Sequence, residues 1–252
     1  MKLLLHISFL GTNYCGYQIQ PNGVTIQQKL NEATRSLFGY DCDIVGCSRT
    51  DSGVHAHHFC ATVTKKGENE LFTTIPVKKI PYAIANYLPE DICVFDAEEK
   101  DDAFHPRYDV KYKEYVYRIW NGPFCDPFSK DTSWHYPKYI DNISLENMKK
   151  AASYFIGTHD FSAYMSADTK VKDTVRTVYE ADVTRKGDII EFRVSANGFL
   201  YNMVRIFTGT LVAVAEGKIL TDDIPKITEG KDRKAAGMTV PAQGLALNKV
   251  VY

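Results

Sequence analysis

Hydrophobic and polar positions alternate from the start of the chain. Leu3, Leu5, Ile7 and Phe9 fall opposite Leu4, His6 and Ser8, the period of a strand. The period then lengthens. Thr25 precedes Ile26, Leu30, Ala33 and Leu37, which share one helical face, and Gly39 follows as a stop. Asp43 to Gly46 predicts a short strand. A turn at Ser52-Gly53 leads into a strand with Phe59, Ala61 and Val63 on one side. Lys65 to Glu70 reads as a solvated loop, Pro76 to Leu88 as helix and Ile92 to Phe95 as strand.

The succession restarts after Phe104 to Tyr108. Val110 to Trp120 alternates, with Tyr115, Tyr117 and Ile119 on one face. Ser144 is placed to cap a helix carrying Leu145, Met148, Ala152 and Phe155, closed by Gly157. Val175 to Val183 and Ile189 to Ala196 predict a hairpin about Lys186-Gly187. Met203 to Ala215 predicts a strongly apolar helix and Ala246 to Val251 a last strand. Strands with intervening helices point to a mixed α/β (α+β) chain in two similar halves, 1–105 and 106–252.

Composition narrows this picture. A chain of 252 residues with 44% hydrophobic residues can build one or two real cores. A charged share of 24% excludes disorder as the main state. The net charge of -1 excludes a globally basic nucleic-acid coat. The average hides a gradient: residues 1–105 carry 9 basic and 13 acidic side chains, a sum of -4, and residues 106–252 carry 21 and 18, a sum of +3. A near-neutral protein with such a gradient can still own a basic groove for RNA. No apolar run approaches the ~18 residues of a membrane span. The apolar start breaks at His6 and Ser8, too early for a signal peptide. Six cysteines form no CxxC pair, which suits buried thiols in a reducing cytoplasm.

Candidate chemistry concentrates in Gly46-Cys47-Ser48-Arg49-Thr50-Asp51-Ser52-Gly53-Val54-His55-Ala56, between two predicted strands. Asp51 reads either as a turn-capping aspartate or as a reactive carboxylate. Arg49, two residues away, shares a face with it in an extended segment. Arg205, amid Val204, Ile206 and Phe207, needs a carboxylate if buried or else sits at a helix edge. A metal reading competes, because Asp51, His55, His57 and His58 lie close in sequence; no second cluster of ligands completes a shell. Walker-type and GxGxxG phosphate loops and the Gly-x-Ser-x-Gly elbow are absent. Tyr108, Tyr112, Tyr115 and Tyr117 interleave with Arg107, Lys111, Lys113 and Arg118, which fits base stacking with phosphate contacts as well as it fits a core strand.

Six segments together resemble one family. Arg49 to Ala56 is similar to the RTDAGVHA signature of TruA-type tRNA pseudouridine synthases. Phe9 to Gln20, Phe104 to Tyr108 with Lys113 to Tyr117, Gly157 to Phe161, Asn197 to Arg205 and Ala236 to Leu245 resemble its other motifs, in order, across nearly the whole chain. The resemblance implies two α/β halves joined in one extended mixed, largely antiparallel sheet with flanking helices. It implies isomerisation of uridine to pseudouridine at positions 38, 39 and 40 of the tRNA anticodon arm, by a cytoplasmic homodimer without metal or cofactor. On it, Asp51 is the nucleophile and Arg205 its partner. Tyr115 stacks on the target base as candidate acceptor of the C5 proton, and Arg49 holds the flipped nucleotide. Arg107, Lys111 and Lys113 are expected to bind RNA. Cys47-Ser48, Ser52, Pro106 and Glu114 depart from the pattern, and Glu114 stands where a phosphate contact would be lost. The rival functions are a divergent copy acting on another RNA, a non-catalytic RNA-binding protein, and a metal-dependent hydrolase.

Overall fold

The computed structural model describes residues 1–166, 171 and 173–252. The class is mixed α/β, as expected. The chain divides into two compact units, Met1–Lys111 with Leu247–Tyr252, and Tyr112–Ala246.

In the first unit, β1 (Lys2–Phe9) lies between β4 (Ile92–Lys100) and β3 (His55–Lys65), antiparallel to both. β2 (Cys42–Gly46) also pairs with β3, and β10 (Leu245–Val251) is the neighbour of β3 in strand order. Leu3, Leu4 and Leu5 are all fully buried, so β1 is covered on both faces and its alternation does not separate inside from outside. α1 (Ile26–Phe38) begins as predicted: the Thr25 hydroxyl accepts from the Gln28 amide at 3.2 Å. It ends at Gly39, in the left-handed conformation at φ 79°. Pro76 to Leu88 is not one helix but α2 (Ile80–Ile84) between two 3₁₀ turns. Pro81 lacks an amide hydrogen and fits only the first turn, so α2 cannot extend backwards.

In the second unit, β5 (Tyr112–Trp120), β9 (Ile189–Ala196), β8 (Val175–Lys186) and β7 (Gly157–Asp160) pair antiparallel in that order, and β6 (Trp134–His135) runs parallel to β5. α3 (Asn142–Ser153) is capped by Asp141, not Ser144: the Asp141 carboxylate accepts from the Ser144 amide at 2.7 Å. Asp141 holds the extended backbone of a cap (φ -75°, ψ 177°), and Ser144 already sits inside the first turn. Gly157 opens β7 instead of closing α3. α4 (Met203–Ala215) is buried almost all round. Its Phe207 stacks on Phe155 with centroids 3.9 Å apart and meets Phe161 and Tyr164 edge-on. α5 (Ile224–Gly230) completes the unit.

Compactness places the division at Lys111, beyond residue 105, and returns the last strand to the first unit. The Lys111 amide donates to the Val251 carbonyl at 2.8 Å. The Tyr252 hydroxyl donates to the Pro106 carbonyl at 2.9 Å, and its ring meets Phe104 edge-on.

Candidate active site

Asp51 sits on the loop between β2 and β3, half-buried. A second loop, residues 10–24, backs it through main-chain bonds on both sides of the aspartate. The Tyr17 amide donates to the Thr50 carbonyl at 3.1 Å, and the Gly53 amide to the Tyr14 carbonyl at 3.3 Å. Ser52 Oγ donates to the same Tyr14 carbonyl at 3.2 Å, and the Val54 amide closes a turn onto the Asp51 carbonyl at 3.1 Å. Two glycines permit this approach. A Cβ on Gly16, at φ 80°, would lie 2.6 Å from the Thr50 carbonyl oxygen, and one on Gly11 would overlap that of Val54. The backing loop is itself anchored, since Tyr14 Oη donates to Asp91 Oδ1 at 2.5 Å. Burial, then the Asp91 carboxylate, push the Tyr14 hydroxyl far above its ordinary pKa, so it stays a donor.

His55 is buried, and its Nδ1 accepts the Gly11 amide at 2.9 Å. That bond fixes a structural role for His55 and removes one nitrogen from the Asp51, His55, His57 metal reading. His57 is exposed, while His58 turns towards His6 and Cys60. Arg49 is exposed on the Asp51 loop. Arg107 is half-buried, with Nη2 donating to the Gly46 carbonyl at 3.4 Å. Lys111 is exposed and donates to the Tyr252 carbonyl at 2.9 Å.

In the second unit, Tyr115 lies on β5 opposite Val194, 7% exposed. Phe199 meets it at 82° with centroids 5.0 Å apart, which fixes the plane of the tyrosine ring. Tyr117 is fully buried and donates to the Pro241 carbonyl at 2.7 Å. Burial drives its pKa strongly up. For Tyr117 the core-strand reading therefore holds. Lys113 shares that inward face and is only 8% exposed, so its expected role as an open phosphate contact does not fit its position. Glu114, on the opposite face, accepts from Arg193 Nη1 at 2.8 Å, and Arg118 pairs with Glu191 at 2.8 Å. The departure at Glu114 is thus one part of a charge ladder across β5 and β9.

Arg205 stands in the first turn of α4, half-buried, and neither in the apolar interior nor fully in water. Its Nε donates to the Val240 carbonyl at 2.8 Å and its Nη1 to Asn202 Oδ1 at 2.7 Å. Asn202 takes the left-handed conformation at φ 61° and donates in turn to Ser166 Oγ at 2.9 Å. Val240 is placed by the segment before it. Gly237 packs backbone to backbone on Gly209 of α4, and its amide donates to Thr210 Oγ1 at 2.9 Å. Asn202, Phe199 and Val240 were not singled out as site residues by sequence reasoning. Their signal was present only as company, inside the segments that carry Arg205 and Gly237.

A family model described as tRNA pseudouridine synthase matches residues 6–109 and 151–252. A protein of Thermoanaerobacter sp. (strain X514), named tRNA pseudouridine synthase A, is 44% identical over 253 residues, covering 100% of this chain and 99% of its own. One of the same name from Acetivibrio thermocellus is 43% identical over 249 residues, covering 98% of each chain. Another, from Bacillus licheniformis, is 42% identical over 258 residues, covering 100% and 99%.

Proposed function

The chain belongs to the tRNA pseudouridine synthase family, a family of isomerases, and from that membership we propose that it converts uridines 38, 39 and 40 of the tRNA anticodon arm. In the reaction the N1–C1′ bond of uridine breaks, the uracil turns, and a C5–C1′ bond forms. The C5 proton leaves and N1 takes up a proton, so the product is an isomer. We assign Asp51 as the nucleophile that adds to the target nucleotide and leaves again, which requires no cofactor.

The observation that carries this reading is the double loop around Asp51. Main-chain bonds on either side hold the aspartate, so a nucleophile is presented with little freedom left to lose. We assign Arg205 as the cation that pairs with that carboxylate, since a nearby opposite charge favours the ionised form. Its guanidinium is aimed in advance by Val240 and Asn202. Tyr115 stacks on the uracil, and its phenolic oxygen takes up the C5 proton as its own proton passes to water. Arg49, exposed on the Asp51 loop, holds the nucleotide after it leaves its stack, offsetting an unstacking cost of a few kcal/mol. Arg107 and Lys111 contact the phosphates, and the enzyme works as a cytoplasmic homodimer. No helix among the described residues is long and apolar enough to cross a membrane.

The test uses unmodified tRNA transcripts carrying tritium at uridine C5, with chelator and without cofactor. Wild type releases tritium, and the sites map to the anticodon arm. Asp51→Asn, with an unchanged melting temperature, loses on the order of 10⁴-fold or more in rate. Equal release by the variant removes Asp51 from the chemistry. Tight tRNA binding without release by wild type favours a binding protein, and release from other uridines a divergent copy.

A further inference from the structure

One side-chain cluster of the first unit, apart from the residues used above, is made of metal-ligand types alone: His6, His58 and Cys60. His6 comes from β1, the other two from β3. Antiparallel register sets Cys60 directly opposite His6, and His58, two residues earlier, shares its face of the strand. His6 Nδ1 lies 2.8 Å from His58 Nε2. Cys60 Sγ lies 3.7 Å from the first nitrogen and 3.5 Å from the second. Around a tetrahedral zinc ion, with bonds of ~2.0–2.1 Å to nitrogen and ~2.3 Å to sulfur, the ligand spacings are ~3.6 Å for sulfur to nitrogen and ~3.3 Å for nitrogen to nitrogen. Both sulfur edges already match, and the nitrogen edge has to open by about half an ångström.

The surroundings are those of a metal site. Glu98, on β4, brings Oε1 to 3.2 Å from His6 Nε2. It holds the His6 proton on Nε2 and leaves the Nδ1 lone pair facing the cluster, as outer carboxylates do for ligating histidines. The register of β1 with β4 slips between His6 and Ile7, so that Phe95 is left over from the pairing. Its ring lies 6.1 Å from that of His6 and 5.6 Å from that of His58, an apolar wall beside the donors. Lys249 acts electrostatically on His58 and opposes a bare cation. Against it stand the Cys60 thiolate of the bound state and the Glu98 carboxylate, whose Oε1 is shared with Lys100 Nζ at 3.2 Å. A hydrogen bond between two histidines has no need of a sulfur at ligand spacing from both.

We propose that His6, His58 and Cys60 bind one thiophilic divalent cation of the zinc class, with Glu98 orienting His6. On binding, the Cys60 thiol gives one proton to the buffer. Each imidazole keeps one proton: that of His6 stays on Nε2, and that of His58 passes from Nε2, where it bonds to His6 Nδ1, to Nδ1. Three protein donors leave one coordination position for water. The ion would clamp β1 to β3 and has no part in the pseudouridine reaction.

The full chain, stripped with chelator, is titrated with cobalt(II) and then zinc. Expected is one cobalt per chain, with thiolate-to-cobalt charge-transfer absorption, displacement by zinc, and release of one proton. Cys60→Ser removes the charge-transfer band and weakens zinc at least tenfold. Glu98→Gln keeps the band and weakens zinc about 10–100-fold. Cys93→Ser and Cys125→Ser, at the exposed thiols, change neither. Absorption that persists in Cys60→Ser, or that follows Cys93 or Cys125, overturns the proposal. If Cys60→Ser melts early, His58→Gln at the half-buried position decides: unchanged zinc affinity in that folded variant overturns it.

Discussion

The two units hold their key side chains by different means. In the first, Asp51 rides on a loop, and backbone bonds from a second loop fix it. In the second, Arg205 rides on a buried helix, and only its guanidinium needs to be aimed, by one carbonyl and one amide side chain. A short carboxylate has little slack of its own, so placing it means placing its backbone. A long arginine on a rigid helix has its slack in the side chain, so its tip is what must be steered. Substitutions therefore act through sterics and backbone in the first unit, and through packing and tip contacts in the second.

Four variants break or sharpen that contrast. Phe207→Ala empties the centre of the aromatic cluster below α4 and costs about 3–5 kcal/mol, read as a lower denaturation midpoint at constant slope. Gly11→Ala drives a methyl into the Val54 carbonyl and shifts the Asp51 loop. Displacement on the ångström scale costs about 100-fold in kcat, with a stability loss of about 1–3 kcal/mol. Parallel rate assays and melts separate the two, and a normal rate in Gly11→Ala would show that loop placement is not critical. Asn202→Ala frees one edge of the Arg205 guanidinium and removes a left-handed residue suited to asparagine. A loss of roughly tenfold in kcat with KM nearly constant is expected, the order of one charged hydrogen bond.

The smallest effect is one of pH. Lys231, then Thr174 and the Ser162 amide, hold the Asp160 carboxyl well below the usual carboxylate range. A depressed folded-state pKa adds stability that is fully present above the unfolded value near pH 4 and lost as pH falls through the folded one. Asp160→Asn should cost roughly 1 kcal/mol at pH 7, because Lys231 is mostly in water, and nothing at the lowest pH. Denaturation midpoints of both proteins should converge below about pH 4. A constant gap down to pH 2 would place the cause elsewhere.

Much of the fold was legible where short-range rules act alone. α1 carried its cap, face and stop in consecutive residues, and α4 was readable from an apolar run of helical length. The β8–β9 hairpin announced itself at Lys186-Gly187. Reading failed where two groups competed for one job, as Asp141 and Ser144 did for the cap, or where an element was too short to show a period, as with α5 and β7. The Asp51 loop was legible as a segment, but its support from Gly11, Tyr14 and Gly16 was not. Those contacts join residues nearly 40 apart. The His6, His58 and Cys60 group depends on the register of β1 against β3, which no local pattern encodes.

The return of Leu247–Tyr252 to the first unit sets an order of events during synthesis. A ribosome making this chain from its amino end finishes Tyr112–Ala246 before the partner strand of β3 exists. The first unit, made first, must wait longest for its last strand, while the second has its whole sequence in hand. A chain stalled before Leu247 therefore carries the whole of the second unit, while β3 of the first still lacks a neighbour and presents an open edge.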